Sequence, residues 1–162
     1  MIDRRGLLVG GAVAALLAYV GGARRGAAAT KAETFQVTHT DAEWRRLLSP
    51  DAYQVLRHEG TERPESSPLD HEHHKGVYNC AGCALPVFSS ETKFDSGTGW
   101  PSFWQPIAGA IRTTTDNSLL MVRTEVHCRR CGGHLGHVFN DGPKPTGLRY
   151  CMNGVALSFH PA

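Results

Sequence analysis

Two Cys-x-x-Cys units, Cys80-Ala-Gly-Cys83 and Cys128-Arg-Arg-Cys131, constrain this chain more than any other feature. Together they supply four thiolates, the full ligand set of a closed tetrahedral zinc site. A Zn²⁺ held this way would close the long loop of residues 84–127 and pin two distant segments together. Its binding energy would then become folding energy, since the unfolded chain has no preformed site. The second unit runs into Gly132-Gly133, which suits a tight knuckle with N–H groups turned toward the sulfurs. Two alternatives exist. Disulfides could form within or between the pairs, though a bridge inside one CxxC is strained. A redox-active CxxC of the thioredoxin kind needs a βαβ context, and the flanking residues read as strands and turns. Structural zinc fits two matched pairs best.

Around these units the chain consists of short β-branched and aromatic runs split by Gly, Pro, Asn and Asp: GVYNC, PVFSS, AIRTTT, LLMVRTEVHC, GHVF and LRYCMNGVALSF. Such runs predict a mainly antiparallel β domain over about 76–160. Upstream, TDAEWRRLLSPDAYQVLRHEG predicts two short helices. Thr40 or Asp41 caps the first; Ser49 caps the second, with Pro50 at its first position and Gly60 at its end. Trp44, Leu47, Leu48, Tyr53, Val55 and Leu56 form the expected packing face. Residues 61–76 are polar, proline-containing and aperiodic, hence a loop. His71, His73 and His74 within it read as solvated.

The first 29 residues follow a different pattern. Arg4-Arg5 precede an apolar Gly/Ala/Leu/Val run and then Ala27-Ala28-Ala29, the order of an export signal, here of the twin-arginine type. Residues 1–29 are therefore expected to be a signal for the periplasm, and residues 30–39 an exposed, flexible lead-in. Cargo exported already folded can carry a metal acquired in the cytosol. A net charge of +2 without a basic run argues against nucleic-acid binding.

The fifth cysteine, Cys151, is unpaired. Arg149 and Asn153 lie two residues to either side, so on a strand all three share a face. A neighbouring cation favours the nucleophilic thiolate, and an amide can donate to an anion. His134 and His137 follow the second knuckle directly, and a Cys with a nearby His suits thiol catalysis. FDSGTGWPSFWQP presents Trp100, Phe103 and Trp104 from a turn set by Gly97, Gly99 and Pro101, consistent with an apolar pocket. A plain buried core cysteine in a zinc-stabilised binding module is the competing reading. A thiol peroxidase would also use a lone cysteine, but on a thioredoxin-type α/β fold that the pattern does not support.

The strings CAGCALPVFSSETKFDSGTGWPSFWQPI, RTEVHCRRCGGHLGHVFNDGPKPTGLRYCMN and LSPDAYQVLRHEGTERP resemble the B-type methionine-R-sulfoxide reductases, over about residues 40–160. The resemblance implies a mainly β, Mss4-like fold of two antiparallel sheets with short N-terminal helices, its domain spanning 40–162. It implies a structural Zn²⁺ on Cys80, Cys83, Cys128 and Cys131, and Cys151 as nucleophile. His137 and His134 would orient the sulfoxide oxygen and help supply its proton. Arg149 and Asn153 would support thiolate and substrate; Trp100 would receive the substrate's methyl group in an apolar wall, and Phe103 would also bind substrate. The implied partners are oxidised proteins or peptides carrying methionine-R-sulfoxide and a thioredoxin-like or small-thiol reductant. No nucleic acid or stable membrane partner is expected, and the chain is expected to be a monomer. Many family members carry a resolving cysteine after Asp-Ser-Gly; here that position is Thr98. A one-cysteine cycle follows, with a sulfenic acid on Cys151 reduced directly by an outside thiol.

Overall fold

The computed structural model describes residues 33–118 and 121–162. The export signal expected over residues 1–29 lies outside the described residues. Helix α1 (Asp41–Leu47) starts with a capping box: the Thr40 hydroxyl accepts from the Glu43 N–H, and the Glu43 carboxylate accepts from the Thr40 N–H. Such a box contributes about 1 kcal/mol. Helix α2 (Pro50–His58) is capped by Ser49 and opens on Pro50. Its end differs from the expectation. Glu59, not Gly60, takes the left-handed conformation (φ 54°), and the Gly60 N–H bonds back to the Gln54 carbonyl. Trp44, Tyr53, Val55 and Leu56 are buried, whereas Leu47 is 61% exposed because it sits at the last turn of α1, facing away from the domain.

Nine strands follow among the described residues; they pair antiparallel, as the β pattern predicts, and form two sheets, as the resemblance implies. β1 (Gly76–Cys80), β2 (Pro86–Ser89) and β9 (Leu157–Pro161) form a three-stranded sheet in the order β2-β1-β9. The six-stranded sheet runs β3-β4-β8-β7-β6-β5, from β3 (Lys93–Phe94), β4 (Ser102–Phe103), β5 (Ile111–Asp116), β6 (Arg123–Cys128), β7 (His134–Phe139) and β8 (Arg149–Met152). The last apolar run, read as one strand, is two: a 3₁₀ turn at Gly154–Ala156 breaks it and sends β9 to the other sheet. Tyr78, Val87, Phe88, Phe103, Val126, Leu135 and Met152 fill the core, with Phe88 stacked on Phe103 at 4.4 Å.

The two cysteine units end β1 and β6, one on each sheet. Residues 33–39, within the expected exposed lead-in, are mostly exposed but touch this region at two points. The Val37 N–H donates to the Arg130 carbonyl, and a Cβ on Gly132 (φ 68°) would strike the Phe35 ring.

Candidate active site

The four thiols converge. Their Sγ atoms all lie within 4.8 Å of one another, at 3.6 Å for Cys80–Cys131 and 3.5 Å for Cys83–Cys128. Those separations far exceed a disulfide bond of about 2.05 Å and approach the edge, about 3.8 Å, of a tetrahedron built on Zn–S distances near 2.3 Å. The shortest links run between the pairs, so the cluster joins the two sheets. Crowding by the neighbouring sulfurs, Cys128 foremost, pushes the Cys80 thiol up, and the same crowding, Cys131 foremost, brings the Cys128 thiol down. A dication is what would let all four carry negative charge together. Arg130 Nη1 donates to the Cys83 carbonyl, tying one knuckle to the other.

The face of the six-stranded sheet turned away from the core carries a second constellation. Strand alternation puts Arg149 and Cys151 of β8 on this face and Tyr150 and Met152 on the other. Register then sets the neighbours: Cys151 pairs with Ser102 on one side and His137 on the other, while Phe139 pairs with Arg149, and Asp116 with Arg123. A cavity of about 150 Å³ opens here, lined by Thr61, Trp100, Arg123, Gly136, His137, Phe139, Cys151 and Asn153. A larger cavity of about 520 Å³ beside α2 shares Thr61 but holds neither the thiol nor a histidine. The smaller one is where the chemistry lies.

His137 Nε2 lies 2.8 Å from Asp116 Oδ2, which also accepts from Arg123 Nη2 at 2.7 Å. The Ser118 hydroxyl and N–H, with His137, hold the Asp116 carboxyl far below its ordinary value. A carboxylate only accepts, so Nε2 carries the ring proton and Nδ1 keeps its lone pair. Burial lowers the pKa of His137 and outweighs the pull of Asp116, with Arg123 and His134 adding to the lowering. The imidazole is neutral at pH 7.

Of the remaining expected residues, Trp100 and Asn153 line this cavity, whereas His134, Arg149 and Phe103 do not. His134 is buried behind His137, 5.3 Å between ring centres, and does not line the cavity. Its Nδ1 donates to Glu125, whose carboxyl is pushed up by burial but brought down to about 2 by hydrogen bonds from His127 and His134. Arg149 makes a bidentate pair with Asp141 at 2.8 and 2.9 Å and stacks over Phe139. Its effect on the thiol is therefore smaller than expected. Burial pushes the Cys151 thiol above its ordinary value, and Thr98, Arg149 and Ser102 offset that only in part. Asn153 falls beyond the end of β8. Its amide donates to the Leu135 carbonyl and accepts from the Glu62 N–H, so it braces the cavity wall. Phe103 corrects the expected substrate wall most clearly. Its neighbour Ser102 faces Cys151, so Phe103 points the other way and is fully buried between Phe88 and Tyr78. Trp100 lines the cavity without it.

Asp116, Arg123, Phe139 and the hydroxyls of Ser96, Thr98 and Ser102 complete the surroundings. Ser96 Oγ bonds both Thr98 and Ser102 at 2.8 Å, and Thr98 Oγ1 approaches Cys151 Sγ at 3.9 Å. None of these carries a motif signal on its own; sheet register assembles Asp116, Arg123, Phe139 and Ser102, and the loop between β3 and β4 brings Ser96 and Thr98 to them.

A family model described as the SelR domain matches residues 48–161. The chain is 58% identical over 123 residues to the peptide methionine sulfoxide reductase MsrB of Thiobacillus denitrificans, covering 75% of this chain and 93% of that protein. It is 53% identical over 127 residues to the protein of the same name from Agrobacterium fabrum, covering 78% and 94%. A third, from Leptospira interrogans, is 50% identical over 126 residues, covering 77% and 96%.

Proposed function

The chain belongs to the SelR-domain family, and on that premise we propose that it reduces methionine-R-sulfoxide in peptides and proteins through the Cys151 thiol. The observation that carries the reading is the register of β7 and β8, which sets Cys151 opposite a neutral His137 in a small cavity walled by Trp100 and Phe139. A cavity near 150 Å³ accepts a group about the size of benzene, which suits one methionine sulfoxide side chain. A binding module with an inert core cysteine gives no reason for a thiol to open onto such a cavity.

In the free protein Cys151 rests as a thiol, because burial outweighs the nearby donors. Nδ1 of His137 takes the thiol proton as Sγ attacks the sulfoxide sulfur, and returns it to the sulfoxide oxygen. The substrate S–O bond breaks, two electrons pass from the Cys151 sulfur to the substrate sulfur, and the oxygen ends on Sγ as a sulfenic acid. Methionine leaves as the thioether. Asp116 holds the ring of His137 and fixes its tautomer. Such a proton shuttle typically contributes ~10²–10⁴ in rate. Thr98 stands 3.9 Å from Sγ and brings no second thiol. Two equivalents of an outside thiol, from a thioredoxin-like domain or a small molecule, then return Cys151 to the thiol and release water and a disulfide.

Cys80, Cys83, Cys128 and Cys131 would hold a structural Zn²⁺ that fastens the two sheets and takes no part in turnover. The Arg4-Arg5 start and the apolar run after it support export by the twin-arginine route to the periplasm, where the protein would act as a monomer; cell fractionation tests this. The central test is Cys151→Ser with an epimer-resolved peptide sulfoxide and a small thiol as reductant. Turnover of the R epimer disappears. Wild-type protein given substrate without reductant gains one oxygen on Cys151 by mass spectrometry, and a bridge from Cys151 to a paired cysteine would refute the one-cysteine cycle.

A further inference from the structure

Glu62 lies in the polar stretch that the sequence reads as a featureless loop, yet it makes four hydrogen bonds to parts of the chain 38 to 93 residues away. Its carboxylate accepts from the Gly154 N–H at 2.6 Å through Oε1 and from the Val155 N–H at 2.9 Å through Oε2. Those N–H groups begin the 3₁₀ turn that separates β8 from β9. The residue before the turn, Asn153, makes no side-chain cap. Its Oδ1 instead accepts from the Glu62 N–H at 2.9 Å. The exchange is like a capping box made between segments distant in sequence: the Asn153 side chain takes the Glu62 N–H, and the Glu62 side chain takes the N–H groups of the two residues after Asn153. The fourth bond runs from Trp100 Nε1 to the Glu62 carbonyl at 3.2 Å.

Asn153 and Trp100 both line the cavity that holds Cys151, and Glu62 touches both. An indole has one donor, so the bond to the Glu62 carbonyl sets the tilt of the Trp100 ring. Next to it, the Glu65 N–H donates to the Gly99 carbonyl at 2.7 Å, and Gly99 has a left-handed φ of 83°. A Cβ there would meet Pro64 and Glu65 at 2.9 Å, so residues 62–65 lie directly on the turn that presents Trp100. The site around Glu62 is equally close. A Cβ on Gly154 would collide with the Ser67 side chain. Burial pushes the Glu62 carboxyl up, and the two N–H donors offset this only in part.

We infer that Glu62 is a positioning residue for the sulfoxide reduction. Its carboxylate anchors residues 61–65 on the 153–155 turn, and that anchoring fixes the Trp100 wall and Asn153 relative to Cys151. The inference rests on the reductase reading above. A displacement of about 1 Å in a positioning wall can cost on the order of 100-fold in rate. The substitution Glu62→Gln keeps the length and one acceptor but turns an amide N–H₂ toward a second donor. The substitution Glu62→Ala removes the anchor.

The test compares wild type, Glu62→Gln, Glu62→Ala and Cys151→Ser with a peptide containing methionine-R-sulfoxide. Each variant is also measured for Cys151 alkylation by iodoacetamide and for thermal melting. Glu62→Ala is expected to lower kcat/KM about 100-fold, mostly through KM, and Glu62→Gln about 10-fold, while alkylation stays within about threefold of wild type. A Glu62→Gln protein that melts earlier but keeps kcat/KM within about threefold overturns the inference, since Glu62 would then serve stability alone. Glu62→Gln is decisive if Glu62→Ala does not fold. A wild-type protein that leaves the sulfoxide intact overturns the reductase reading and this inference with it. Active wild type with inactive Cys151→Ser and unaffected Glu62 variants overturns the inference alone.

Discussion

Replacing Phe103 with Ala separates the core from the substrate wall. Phe103 is fully buried, stacked on Phe88 at 4.4 Å and edge-on to Tyr78 at 4.9 Å. Removing a ring so enclosed leaves a cavity that the flanking strands cannot collapse into, at a cost of about 3–5 kcal/mol. For a domain of this size each kcal/mol lowers Tm by roughly 3–5 °C, so the melting point should fall on the order of 10–20 °C. Total stability of such a domain is about 5–15 kcal/mol, so the variant stays folded in the cold. The companion is Trp100→Leu. Trp100 is partly exposed at the cavity, and loss of its contact with one substrate methyl is worth about 0.8 kcal/mol, roughly fourfold in binding, before any loss of orientation. Melting followed by circular dichroism, with kcat/KM measured at about 10 °C, compares the two. Phe103→Ala should melt early and keep most of its kcat/KM; Trp100→Leu should melt near wild type and lose at least about fourfold. A Phe103→Ala protein that melts within about 2 °C of wild type and has lost activity would refute the placement of this ring in the core.

The pH dependence of Cys151 follows from its burial. Its folded pKa lies above the ordinary thiol value, so the thiolate is scarce at pH 7 and grows as pH rises past about 9. Iodoacetamide should label Cys151 slowly at pH 7, with a rate still climbing beyond about pH 9. A plateau already reached below pH 7 would show that Arg149 and the hydroxyls prevail over burial. The metal prediction concerns the four clustered thiols: the purified protein should hold one zinc per chain, and a strong chelator should lower the melting point steeply while exposing four further thiols to a colorimetric reagent. Metal-free protein with unchanged melting would sink the structural role.

Some of this molecule could be read from local spacing. A cap acts within one turn, so Thr40, Ser49 and Pro50 announce α1 and α2 by their own chemistry. Two CxxC turns make a ligand set whose donors need only meet, and they do. Alternating β-branched runs give the fold class, since period 2 is a property of each strand alone. The lone cysteine stood out because every other thiol had a partner three residues away.

What spacing leaves open is which strand face a residue occupies and what faces it across the sheet. Phe103 and Ser102 are neighbours with opposite fates, and a shift of one residue would exchange them. Arg149 shares a face with Cys151, but Asp141 and Phe139 engage its guanidinium, and neither is near it in a way the strand pattern reveals. Asp116 reaches His137 only because β5, β6 and β7 pair in their observed register. Glu62 reaches Trp100 and the 153–155 turn across 38 to 93 residues. The sequence by itself determined the thiols, the caps and the strand-forming runs, because each depends on chemistry a few residues long. The tertiary structure alone decided the shape and electrostatics of the cavity, because those depend on cross-strand register and on hydrogen bonds between segments that meet only once the chain has folded.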